Sequence, residues 1–452
     1  MNDPHILGTE RIGKLLVQYS IPAIIGMTIT SLYNIIDSIF IGHGVGAMGI
    51  AGLAITFPLM NLVVAFCTVV SAGGSTISSI RLGQKDTDGA TEVLNHTLML
   101  CLVNAFLFGG ISFIFLDEIL RFFGASNETL PYARNFMQII LLGTPVTYTM
   151  IGLNNIMRAT GVSQESDADF DGYGGVQQLI LGPYLHLPLR LGVSVARQRQ
   201  RSISQFIGMI WVVSHFLQKT SIVRLQPGFW KMKKRIISSI FSIGMSPFLM
   251  NVTACVIVII VNNSLQRYGG DMAIGAYGIM NRLLVLYVMI VLGLTMGMQP
   301  IVGYNFGAQK YDRVKATLRL SILTGVCITS TGFIICELFP HAVSAVFTSD
   351  GQLIDMASRG VRIGIAMFPL VGAQIVIGNF FQSIGKAKIS IFLSLTRQLL
   401  YLLPGLIILP RYMGLDGIWT CMPVSDFFAF VTAVIALWIY VKKLKRLSPL
   451  QS

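Results

Sequence analysis

Residues 15–42 read Leu15-Leu16-Val17-Gln18-Tyr19-Ser20-Ile21-Pro22-Ala23-Ile24-Ile25-Gly26-Met27-Thr28-Ile29-Thr30-Ser31-Leu32-Tyr33-Asn34-Ile35-Ile36-Asp37-Ser38-Ile39-Phe40-Ile41-Gly42. One residue in this run, Asp37, is charged. An apolar run of ~20 residues, at ~1.5 Å each in a helix, crosses the hydrocarbon of a bilayer. The run therefore predicts a membrane-spanning helix with an acid inside it.

Ten more runs of this kind follow, at 49–72, 91–115, 134–157, 203–218, 236–262, 272–298, 316–339, 359–381, 389–410 and 416–441. The whole chain agrees with them. Of 452 residues, 53% are hydrophobic and 12% charged, and the mean hydropathy is +0.69. Ordinary globular proteins carry ~25% charge. So few polar residues cannot cover a surface in water, which excludes a soluble enzyme, a secreted disulfide scaffold and a disordered chain. The six cysteines (Cys67, Cys101, Cys255, Cys327, Cys336, Cys421) lie in apolar runs without paired spacing. They read as small buried hydrophobes. Met1–Ser20 lacks the pattern of a cleaved signal peptide.

The net charge of +13 would suggest nucleic acid in a soluble protein; in a membrane protein it marks cytoplasmic loops. Basic residues cluster after every second run: Arg81 and Lys85; Lys219, Arg224, Lys231, Lys233, Lys234 and Arg235; Lys310, Arg313, Lys315 and Arg319; Lys386 and Lys388. Both ends are basic as well, with Arg11 and Lys14, and with Lys442, Lys443, Lys445 and Arg446. The alternate loops carry Asp117, Glu118, Glu128, Asp271, Asp350, Asp355 and Asp416. The positive-inside rule places both termini in the cytoplasm. That requires an even number of helices, so a twelfth belongs between Arg158 and Ile203.

The chain also repeats itself. At an offset of 224, Gly83 meets Gly307, Pro145 meets Pro369, Asn155 meets Asn379 and Gly161 meets Gly385. The expected architecture is an all-α membrane protein of twelve transmembrane helices in two six-helix lobes. An N-lobe at 1–218 and a C-lobe at 236–441 are joined by a cytoplasmic basic linker at 219–235, and 442–452 form a cytoplasmic tail. Duplicated bundles of this kind are typical of secondary transporters, with the substrate held between the halves.

There is no nucleotide-binding G-x-x-x-x-G-K-[ST] string, no H-E-x-x-H string and no Cys/His metal cluster. The reading is of a transporter, not an enzyme, with no cofactor other than a coupling ion, Na⁺ or H⁺. Coupling needs a titratable or cation-binding group inside the membrane. Asp37 is the candidate, because a carboxylate at that depth costs about 2.5–3.5 kcal/mol on insertion scales and normally faces a cavity. Asn34, three residues earlier, shares its helical face. The repeat position of Asp37 is Val261, so architecture alone does not demand the acid. Tyr33, Asn154, Asn155, Gln299, Gln374 and Asn379 are candidates for lining a substrate cavity. Arg158, Arg282, Arg397, Gln398 and Asp426 are the other polar residues at membrane depth; interhelical hydrogen bonding accounts for such groups as readily as substrate contact.

Leu32-Tyr33-Asn34-Ile35-Ile36-Asp37-Ser38-Ile39-Phe40-Ile41-Gly42 and Gln299-Pro300-Ile301-Val302-Gly303-Tyr304-Asn305-Phe306-Gly307-Ala308 resemble the N-half and C-half signatures of bacterial multidrug and toxic compound extrusion (MATE) transporters. Phe381-Gln382-Ser383-Ile384-Gly385-Lys386-Ala387 and Pro423-Val424-Ser425-Asp426 resemble the same family. The resemblance covers 15–161 and 203–445. It implies twelve helices in two lobes, a central cavity and export of cationic, amphipathic small molecules across the bacterial inner membrane in exchange for Na⁺ or H⁺. It also implies a monomer in the lipid bilayer, and it matches Asp37 to the family's N-lobe cation-site acid. A lipid or oligosaccharide-lipid flippase of the same superfamily, or a non-transporting scaffold or inactive gene product, are the alternatives. A flippase would want basic residues in its cavity, and a scaffold would not need Asp37.

Residues 162–201 depart from the family. Gln164-Glu165-Ser166-Asp167-Ala168-Asp169-Phe170-Asp171 is acidic and Arg197-Gln198-Arg199-Gln200-Arg201 is basic, where a fifth helix is expected. The length fits while the composition does not. Read one base out of register, the codons for Val162–Leu187 permit a Tyr-Pro-Lys/Arg-Lys/Arg start, an Asn four residues before Asp-Pro, and Ile-Phe-Ile-Phe. These strings resemble the family's own, and a frame slip is favoured over a genuine loop. The expected consequence is a segment, Ser163–Arg201, that does not make a good membrane helix.

Overall fold

The computed structural model describes residues 5–45, 47–123, 125, 127, 130–160, 193–218, 221–226, 232–348 and 350–447. Among these, side chains are described except at 5, 30, 32–55, 57, 132, 193–204, 271 and 443–447. The principal helices are α1 (Ile12–Val45), α2 (Ala47–Gly83), α3 (Thr87–Ile114), α4 (Leu130–Ala159), α5 (Val193–Leu217), α6 (Lys234–Gly270), α7 (Met272–Gly307), α8 (Tyr311–Leu338), α9 (Gly351–Gly364), α10 (Phe368–Ser383), α11 (Ala387–Met413) and α12 (Leu415–Leu447). Nine of them, among the described residues, are long and apolar enough to cross a membrane, and α9 with α10 makes a tenth span bent by 55°. Short helices at Leu116–Phe122 and Pro340–Ala345 lie outside the spans. The segment read as a corrupted fifth helix, 161–192, lies outside the described residues.

Two boundaries differ from expectation. The helix expected from residue 203 begins ten residues earlier, at Val193. Arg and Gln are good helix formers, so the basic stretch Arg197–Arg201 continues the helix without any apolar signal. The single run 359–381 is two helices. Pro369 has no N–H to donate and disfavours helix in the residue before it, and α10 begins with it in the first turn. Its repeat partner Pro145 sits inside α4, which continues past it.

The repeat is visible in the backbone. α2 ends at Gly83 and α7 at Gly307; α3 begins at Thr87 and α8 at Tyr311; α4 ends at Ala159 and α10 at Ser383. Each of these pairs is 224 apart. Even the turns agree: Lys85 and Gln309, also 224 apart, are the two non-glycine residues with positive φ among those described, at 62° and 59°. In the first turn the Lys85 N–H donates to the Leu82 carbonyl and the Asp86 N–H to the Arg81 carbonyl, which satisfies the open carbonyls of α2. Asp86 then caps α3, its Oδ1 accepting from the Gly89 N–H at 2.8 Å.

The chain divides into two compact units. Unit 1 holds residues 1–10, 25–251 and 303–309. In it α2 packs on α3 and α4, and α5 packs on α4. Its core includes Leu59, Val63, Val70, Cys101, Leu120, Met137 and Leu141, with Tyr148 donating to the Val63 carbonyl at 2.7 Å. Unit 2 holds residues 11–24, 252–302 and 310–452. There α8 packs on α10, while α9, α10 and α11 pack on α12. Val261, Leu265, Met280, Phe368, Trp419 and Cys421 lie in its core.

The residues after α5 fold back on it. Val223 is fully buried, and the Leu225 N–H donates to the Phe216 carbonyl. The start of α6 is held by α3: His96 Nε2 accepts from the Lys233 N–H at 2.7 Å, while His96 Nδ1 faces the Glu92 carbonyl at 2.7 Å. Lys233 also pairs with the Glu92 carboxylate.

Candidate functional site

Inside a bilayer, apolar burial does not separate one helix face from another; small residues and polar groups decide how helices meet. The functional reading therefore rests on the polar side chains and the close backbone contacts.

α1 carries Tyr33, Asn34 and Asp37 within about one turn; their side chains lie outside the described residues. Val261, at the repeat position of Asp37, is fully buried in the apolar core of unit 2. On α4, Asn154 is buried, and the backbone carbonyl of Asn155 accepts from Ser75 Oγ at 2.9 Å. Consecutive residues on a helix point ~100° apart, so the two asparagines look to different faces. In unit 2, Gln299 is half-buried on α7. Gln374 on α10 has a buried Oε1 without a hydrogen-bond partner. Asn379, five residues on, donates its Nδ2 to the Ile375 carbonyl at 3.0 Å and is committed to its own helix. Asn34, Asp37, Asn154 and Asn155 thus belong to unit 1, and Gln299, Gln374 and Asn379 to unit 2.

A polar cluster in unit 2 stands out that was absent from the candidate set. Asp426, near the middle of the span of α12, accepts from Arg397 Nε, near the middle of the span of α11. The Asp426 side chain is 5% exposed and that of Arg397 35%. Arg397 lies on a π-helical turn, Thr396–Leu402. Such turns widen the helix by a residue and recur at functional sites. The adjacent Gln398 has a buried Oε1 without a hydrogen-bond partner. Tyr401, on the same turn, bonds Thr432 of α12 at 2.9 Å. The sequence showed both charges at membrane depth. It could not show that residues 29 apart on different helices meet, because the π turn that sets the direction of Arg397 has no composition signal.

Glycines mark where helices touch backbone to backbone. In unit 1, a methyl added at Gly73 would stand 2.0 Å from the Ile240 carbonyl oxygen, and one at Gly244 would stand 1.6 Å from that of Val69. In unit 2, one at Gly297 would stand 2.6 Å from the Ser20 nitrogen, and one at Gly293 2.7 Å from Ile24 Cα. Gly73 and Gly297 are 224 apart, as are Val69 and Gly293. α2 thus meets α6 as α7 meets α1. At the ends of α2 and α7, a methyl at Gly83 would lie 2.0 Å from the Tyr304 carbonyl oxygen, and one at Gly307 2.1 Å from that of Ile80.

Known proteins resemble this chain over most of its length. The family profile MatE matches this chain twice, over residues 22–165 and 243–407, once in each half. The chain belongs to the MatE family. It is a membrane transporter and not an enzyme. A MatE relative, the multidrug export protein MepA of Staphylococcus haemolyticus, is 28% identical over 423 residues, covering 93% of this chain and 92% of the relative. MepA of Staphylococcus aureus strain N315 is 24% identical over 430 residues, covering 94% and 93%. Among solved structures, the MATE multidrug transporter DinF-BH, solved as a complex with a ligand, is 34% identical with a TM-score of 0.87, covering 95% of this chain and 96% of that one. A MATE structure in complex with MaL6 superposes with a TM-score of 0.92 at 20% identity, covering 99% and 100%, and shares the fold. The MatE fold of twelve membrane helices in two lobes is the one expected from the helix count and the repeat.

Proposed function

We propose that this MatE chain is a cation-coupled antiporter that exports drugs or other amphipathic organic cations across the bacterial inner membrane by alternating access. The observation that carries the reading is the likeness, at 34% identity over nearly the whole chain, to a multidrug transporter solved with its ligand, together with the MepA exporters. Coupling falls to Asp37, with Asn34 beside it on the same helical face and Na⁺ or H⁺ as the ion. Tyr33, Asn154, Asn155, Gln299, Gln374 and Asn379 line the substrate path. The lobes are 1–218 and 236–441, the linker 219–235 and the tail 442–452 are cytoplasmic, and both termini face the cytoplasm. The protein works as a monomer with no cofactor beyond its coupling ion.

The test is efflux of a cationic dye from cells carrying the frame-restored gene, or from proteoliposomes of its purified product, with a Na⁺ gradient, a proton gradient or neither. Efflux that follows one of the gradients is expected. Dye retention under every gradient, in a folded and inserted protein, would refute the reading. A cysteine placed near Lys231 should resist impermeant thiol reagents in intact cells; its modification from outside would overturn the orientation.

A further inference from the structure

We infer that Asp426 and Arg397 form a second proton-responsive site of the transporter, in which uptake of a proton by Asp426 releases Arg397. The inference rests on the coupling reading above and extends it from the N-terminal half to the C-terminal half.

Three observations meet at this pair. The first is depth. Asp426 is the one buried carboxylate among the described residues of the spans, and it sits well inside the apolar span of α12 with the guanidinium of Arg397 as its partner. Ionisable groups at that depth are costly and mark ion pathways and proton relays. A buried ion pair is a poor stabiliser compared with apolar residues of the same volume, so packing alone gives no reason for one between two otherwise apolar helices. The second is local geometry. The π turn Thr396–Leu402 directs Arg397 at α12 and leaves the neighbouring Gln398 Oε1 buried and unpartnered. The third is asymmetry. Counted back by the 221 offset that aligns Ser204-Gln205-Phe206 with Ser425-Asp426-Phe427, the partner of Asp426 is Gln205. Its Oε1 accepts from Thr147 Oγ1 at 2.7 Å. At this repeat position the N-terminal half carries a neutral side chain, so the repeat does not require a carboxylate there.

The surroundings are specific. α11 presents Arg397 and Tyr401 to α12; Tyr277 of α7 lies within electrostatic reach of Arg397. α10 carries no titratable residue. The charges of α9 are Asp355, Arg359 and Arg362, of which Arg359 pairs with Asp416 at the start of α12 and Asp355 faces His341. Among the described residues Asp426 therefore has one cationic partner, and Arg397 is its more exposed side. In the step proposed, a proton from water adds to the Asp426 carboxylate to give the neutral acid. The Arg397–Asp426 ion pair breaks, Arg397 keeps its charge and turns to its exposed side, and the cluster changes from net neutral to +1. A cluster of charge +1 favours the conformation that hydrates it.

The test uses pH-difference infrared spectra of the purified full chain, titrated from about pH 8 to about pH 5. The carboxylic-acid band that appears on acidification should contain a component that persists in Asp37→Asn and is missing in Asp426→Asn; a difference spectrum that Asp426→Asn leaves unchanged would overturn the inference. In whichever form of the chain exports dye, the neutral double variant Asp426→Asn/Arg397→Gln should bind dye within about twofold of the parent. Its efflux should fall at least about tenfold and lose its pH dependence, while Asp426→Glu keeps a displaced pH dependence. Absence of the band in the parent chain, or a double variant with the parent's rate and pH profile, would overturn the inference and leave the role of Asp37 standing. Efflux in the parent that is indifferent to both ion gradients would overturn the coupling reading and this one with it.

Discussion

Gly83 and Gly307, 224 residues apart, each lie against the backbone at the end of the other's helix: Gly83 on the Tyr304 carbonyl and Gly307 on that of Ile80. Ile80 and Tyr304 are themselves 224 apart, so the contact is reciprocal. Neither position has room for a Cβ, and the neighbouring atoms are backbone, which cannot rotate away.

Gly83→Val and Gly307→Val should therefore behave alike. Each overpacks a backbone contact and should destabilise the purified protein by about 1–3 kcal/mol, read as a lower thermal midpoint in detergent. Valine at Gly278, where an added methyl would meet nothing within 4 Å, is the control. Midpoints that do not separate Gly83→Val from Gly278→Val would show that the contact does not hold the ends together.

Asp37→Asn keeps the shape of the side chain and removes its charge. A neutral residue is cheaper in lipid by up to about 2.5–3.5 kcal/mol, so yield and insertion should equal or exceed the parent's. Gradient-driven export should be lost. Dye efflux at the parent rate would remove Asp37 from the coupling mechanism.

His96 ties the start of α6 to α3. In His96→Phe the Lys233 N–H loses its acceptor, at a cost of about 0.5–1.5 kcal/mol for a net hydrogen bond at a partly exposed site. Trypsin should then cut at Lys233, Lys234 or Arg235 at least about fivefold faster, since local opening governs cleavage. Equal cleavage rates for the two proteins would contradict the tether.

Asp86 predicts a pH effect. Its hydrogen bond from Arg81, with a further one from the Gly89 N–H, holds the carboxyl below the ordinary carboxylate range. A depressed folded-state value means that the stabilisation is present above the ordinary carboxylate value and is lost as pH falls through the folded-state value. Asp86→Ala should cost about 1 kcal/mol or less near neutral pH, because the pair is more than a third exposed. In acid the difference should vanish, and a gap that widened on acidification would reverse the sign of the argument.

The stretch 162–201 makes its own prediction. The unaltered chain should export dye weakly or not at all, and restoring the reading frame that the flanking family pattern implies should recover export at equal expression. If the gene encodes Gln164–Arg201 in frame and the unaltered chain exports fully, the segment is a real loop of this transporter.

Much of the fold was legible because the bilayer permits few solutions. Long apolar runs must be helices when no water is present to satisfy the backbone, and the helix ends at Gly83, Gly307, Ala159 and Ser383 fall where the repeat requires. The basic start of α5 was illegible, since a helix beyond the apolar region leaves no hydropathy signal. The bend between α9 and α10 was hidden because Pro145 and Pro369 look identical in sequence, and only tertiary packing decides which one breaks a helix. Asp37 could be picked out from depth and asymmetry. Asp426 met the same depth criterion, yet its pairing with Arg397 depends on the π turn, which no residue type announces.

The reciprocity of Gly83 and Gly307 also carries history. A contact in which position i touches j while j touches i is the mark of an isologous interface, the kind made by two identical chains about a two-fold axis. A single chain has no physical reason to repeat a backbone contact, its helix ends and the left-handed turn at Lys85 and Gln309 in register. The simplest origin is a gene for one half whose product paired with itself in the membrane. Fusion through what is now the 219–235 segment freed each copy to diverge. One kept an acid on its first helix, and the other placed its acid on the last. The meeting of α2 and α7 is in that sense a fossil homodimer interface, and any half-length homologue would be expected to assemble across the same glycine.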